Sequence, residues 1–132
     1  MVYVDVVLRA RSAWMEGEKY WRWADHPEER QADLQQKLAV EESDLLKKKT
    51  DGKLTTDDYA RDKELLEFRY DQMGKESSIK YAYVWYQTAV DLFSPPDSKW
   101  VQLSRVKMPL AKERWKAELR AQKIPFEDYM LD

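Results

Sequence analysis

The chain contains no cysteine and only one histidine, three glycines and five prolines in 132 residues. Without cysteine there is no disulfide framework, thiolate metal site, covalent haem attachment or thiol nucleophile. So few glycines and prolines leave little material for turns, which favours a handful of long elements over many short strands. Long apolar runs are missing too. The first eleven residues carry Asp5, Arg9 and Arg11, so they read neither as a signal peptide nor as a membrane span, and a cytoplasmic location is the default expectation.

The motifs of nucleotide and hydrolase chemistry are equally absent. There is no G-x-G-x-x-G, no G-K-[ST] and no G-x-S-x-G. His26 lies between Asp25 and Pro27, has no second histidine to converge with, and reads as an exposed turn residue. Setting Gly52 at the glycine position of a calcium loop puts Lys47 and Lys49 at the first and third ligand positions, where ammonium groups cannot coordinate the ion. Asp62, Glu64, Glu67 and Asp71 follow one another on a helix, but no Glu-x-x-His pair accompanies them. Lys63 and Arg69 lie close enough to make this a solvated charged face. The sequence therefore predicts no catalytic residue, no metal site and no cofactor.

What is present is aromatic. Six Trp, eight Tyr and three Phe bring large apolar area with few rotatable bonds, the currency of cores and of binding surfaces alike. Charge is unevenly spread. Residues 28–98 hold sixteen acidic and eleven basic side chains, whereas residues 99–123 hold eight basic and two acidic.

The periodicity predicts an all-α, single-domain chain: a bundle of three to four helices with a long antiparallel hairpin. Val2, Val4 and Val6 alternate as in a strand, but Ala10, Ala13, Trp14, Tyr20 and Trp21 take helical spacings, favouring a helix over most of 3–24. Asp25 is expected to cap the next helix, with Pro27 in its first turn. That arm, 27–50, ends on Lys47–Lys49 with Gly52 as a left-handed cap. Thr55 or Thr56 starts the second arm, expected to run from 57 to 93 with a bend at Gly74 and to stop at Ser94-Pro95-Pro96. Leu34, Leu38 and Leu45 face Tyr59, Leu66 and Met73 in a narrow seam. From Ile79 the arm is apolar all round and must be covered by the first and last helices. Pro109 is expected to break the final section, leaving a basic helix over 110–122 and an apolar, acidic tail over 124–132.

Two surfaces follow. Tyr20, Trp21 and Trp23 cannot all face one way, and neither can Tyr83, Trp85 and Tyr86; Trp21, Trp23, Trp85 and Tyr86, with Phe126, Tyr129 and Met130 of the tail, are the predicted anchors for a protein partner or a second copy. Arg105, Lys107, Lys112, Arg114, Lys116, Arg120 and Lys123, beside Trp100 and Trp115, form the one stretch suited to a polyanion. The acidic balance of the whole chain, with a pI of about 5.6, disfavours nucleic acid. The leading expectation is a non-catalytic interaction or assembly subunit; polyanion binding through 99–123 and a small-ligand helical bundle are the alternatives.

Overall fold

The computed structural model describes residues 2–131, with the side chains of Val2, Tyr3, Asp128 and Tyr129 outside that description. Five α-helices, one short 3-10 turn at Asp128–Leu131 and no strand make up the described residues: α1 (Val2–Asp25), α2 (Pro27–Thr50), α3 (Thr56–Lys75), α4 (Ser78–Leu92) and α5 (Lys99–Ala121). They form two compact units, one of residues 1–25 with 77–132 and one of residues 26–76.

In the first unit α4 supplies the centre. Ile79, Ala82, Tyr83, Tyr86 and Ala89 recur at three- and four-residue spacings and are all buried. Trp14, Tyr20 and Trp21 of α1 and Met108 and Trp115 of α5 pack against this cluster. On α1 the buried stripe is small, with Ala10, Ala13 and Gly17. A Cβ on Gly17 would lie 2.5 Å and 2.7 Å from ring carbons of Tyr86, so only glycine lets the two helices meet here.

Along α5, Val101, Ser104 and Ala111 are buried, with Met108 and Trp115 half-buried, a three-and-four alternation that continues past Pro109. Pro109 is exposed inside this helix and does not end it, against expectation. A proline forfeits one intrahelical bond, and the burial of Ala111 and Trp115 beyond it offsets that loss.

The second unit is the pair α2 and α3. Its local signals act as the sequence predicts. Pro27 opens α2, Gly52 takes φ 76° just after it, and the Thr55 hydroxyl accepts the Asp58 N–H at 3.1 Å to start α3. Asp25 does not cap α2. It is the last residue of α1 and pairs with Arg114 at 2.9 Å, and His26 occupies the cap position without a side-chain bond. The helices run antiparallel, as shown by Arg69 on Glu41 at 3.1 Å and Lys49 over the Tyr59 ring at 4.8 Å. At the far end Arg30, 8% exposed, donates to the backbone carbonyl oxygens of Glu76 and, at 2.7 Å, Met73.

The expected second arm over 57–93 is two helices rather than one. The break comes at Glu76 and Ser77, two residues past Gly74. There Glu76 is extended, and the Ser77 hydroxyl accepts the Lys80 N–H at 3.1 Å to begin α4. A serine cap is a local signal, and the Ser77-Ser78 pair carried it.

Candidate interaction surfaces

Burial sorts the predicted aromatic anchors. Tyr86 is completely buried and cannot meet a partner. Its hydroxyl donates to Glu18 Oε1 at 2.7 Å, and burial, followed by that carboxylate, pushes the phenol well above its usual range. Trp21 packs on the edge of the core, with Lys107 Nζ 4.0 Å and the Arg114 guanidinium 4.9 Å from its ring centroid. Trp23 is half-buried, edge-on to Tyr20 at 5.3 Å, with Lys19 Nζ 5.0 Å from its ring. In the tail Phe126 is half-buried beneath Arg120, Leu131 is buried and Met130 is 60% exposed, while the side chain of Tyr129 lies outside the description. Among the described rings only Phe68 is exposed. The apolar surface of this molecule is thus mostly aliphatic, and counting rings does not find it.

Trp85 is the anchor placed for contact. It lines an open groove between α1 and α4, about 290 Å³ in volume, together with Leu8, Ala13 and Phe93. Leu8 is 53% exposed. Arg9, Ser12 and Glu16 form the polar edge, and its charges are already matched along α1. Arg9 meets Asp5 at 3.1 Å and Glu16 meets Lys19 at 2.8 Å. Leu8 and Phe93 belong to this surface although the sequence reading did not single them out. Leu8 stands in the stretch where strand and helix patterns competed, and Phe93 just before the Ser94-Pro95-Pro96 stop.

Most of the predicted polyanion residues are engaged within the chain, whereas Lys123 is exposed. Arg105 pairs with Asp97 at 2.9 Å, Arg114 with Asp25 at 2.9 Å and Lys116 with Glu113 at 3.3 Å. Lys107 reaches Glu18 at 3.7 Å, Lys112 is half-buried, and Arg120 covers Phe126. The basic run on α5 thus meets acids of α1 and of its own neighbourhood, which lowers the charge available to a phosphate backbone.

Among the described residues no group of three or more His, Asp or Glu is placed to hold a metal ion, and no helix is long and apolar enough to cross a membrane. No family model, no curated protein and no solved structure matches the chain.

Proposed function

We propose that this chain is a non-catalytic protein-interaction subunit that receives an apolar segment of a protein partner in the groove between α1 and α4. The observation that carries the reading is the lining of that groove: Leu8, Ala13, Trp85 and Phe93, with the flanking charges of Arg9 and Glu16 already matched within α1. A charged ligand would find no unmatched counter-charge at this edge. An apolar side chain would gain the area of an indole and a phenyl ring. The paired cations of α5 weigh against the polyanion alternative.

The test is affinity purification of the full chain beside its Trp85→Ala and Leu8→Glu variants, with the affinity for each recovered protein measured by titration. The expected result is one partner, or the chain itself, whose binding weakens about thirtyfold with Trp85→Ala, the effect of losing an anchor of about 2 kcal/mol. Identical recovery and affinity for all three chains, at unchanged helicity by circular dichroism, would overturn the reading.

A further inference from the structure

Apolar burial is divided unevenly between the two units. The core cluster of Ile79, Ala82, Tyr83, Tyr86 and Ala111, and the side chains packed on it, come from α1, α4 and α5. In the hairpin Leu34 is the one buried apolar residue, and α3 buries none of its residues. Leu38, Leu45, Leu66 and Met73 of the seam are half-buried, and Val40, Leu46, Leu65 and Phe68 are at least half exposed. The ion pair of Arg69 with Glu41 lies in solvent, where such pairs add little. Arg30 is the exception, its guanidinium holding two carbonyl oxygens at the end of α3. The tryptophans are divided as unevenly: Trp14, Trp21, Trp23, Trp85, Trp100 and Trp115, all six in the chain, belong to the first unit.

We infer that the hairpin is a separate cooperative element, opening and closing while the unit of α1, α4 and α5 keeps its fold. Helices in proteins take most of their stability from the face they bury against a neighbour. Within its own unit each arm has only the other for that purpose. Loss of the Leu34 seam and the Arg30 clamp therefore releases α2 and α3 together. Opening in contiguous blocks of this kind falls where few apolar side chains are buried. The first unit is built the other way, around a fully buried Tyr86 and a cluster drawn from its own residues. The hairpin is thus a conformational device, able to order and disorder while the groove of Leu8, Trp85 and Phe93 persists.

The placement of the tryptophans makes this testable in the intact chain. Tryptophan fluorescence reports the first unit alone, whereas far-ultraviolet circular dichroism reports both, with α2 and α3 holding about two fifths of the helical residues. In urea the two probes should therefore part. Circular dichroism should lose about two fifths of its helical signal in a first step, and the fluorescence should change only in a later one. Leu34→Ala and Arg30→Ala should each move the first midpoint to lower urea and leave the second in place, and Tyr86→Phe should do the reverse. Native-state hydrogen exchange should give the slowest amides of α2 and α3 one common opening, about a hundredfold or more faster than that of α4. None of these readouts involves a partner, so they stand apart from the groove reading. Coincident urea curves from the two probes, a Leu34→Ala shift shared by both steps, or α2 amides as slow as those of α4 would each overturn the inference.

Discussion

Tyr86 and Gly17 together decide how closely α1 meets α4. Gly17→Ala would gain about 1 kcal/mol of helix propensity. It would also place a methyl group 2.5 Å from the Tyr86 ring, whose hydroxyl is tied to Glu18 and whose surroundings are fully packed. Overpacking of this kind costs about 1–3 kcal/mol, so Gly17→Ala should lower the midpoint of thermal unfolding, the reverse of its effect in an exposed helix. Tyr86→Phe keeps the ring and removes the bond to Glu18, at a cost of about 1–2 kcal/mol near neutral pH. The phenol is held neutral in the folded state above its ordinary value of 10.0. Its contribution is therefore complete below about pH 10. Above that the unfolded chain ionises first, and stability drains by about 1.4 kcal/mol per unit. Urea unfolding at pH 7 and pH 11 should show the gap between parent and Tyr86→Phe narrowing by about that amount.

At the scale of elements, helix ends obey local chemistry while helix continuity does not. Thr55, Ser77 and Ser98 each cap the helix that follows through the side-chain oxygen. The end of α3 is different, because its last carbonyls are held from α2 by Arg30, 43 and 46 residues away in sequence. Arg30→Ala should cost the hairpin about 2 kcal/mol, as the loss of part-buried charge-assisted bonds does. Hydrogen exchange should locate the loss, with amides near residues 70–76 exchanging about thirtyfold faster and those of α4 and α5 unchanged. Arg30→Lys should restore only part of it, since a single ammonium does not present the forked donors of a guanidinium. Pro109 makes the complementary point. A breaker read alone ends a helix, yet α5 continues because Met108, Ala111 and Trp115 all contribute to the same core.

For the whole molecule, helical class and several boundaries were legible because they rest on interactions within about four residues. The Pro27 start, the Lys47–Lys49 run before Gly52 and the Thr55 cap are such signals. Depth was not legible. Periodicity places Tyr86 and Trp85 on the same helix one residue apart, yet one is sealed against Gly17 and Glu18 and the other lines an open groove. The surface candidates Leu8 and Phe93 are ordinary apolar residues in ordinary helical positions. They become a surface only through what fails to cover them. The chain's residues alone determined that it would be helical, without thiol chemistry and rich in rings, since composition and short-range spacing set those properties. Tertiary structure alone decided which rings are hidden, that α5 runs through its proline, and which acids pair with Arg105, Lys107 and Arg114. Those outcomes depend on contacts between residues distant in sequence, which no local pattern encodes.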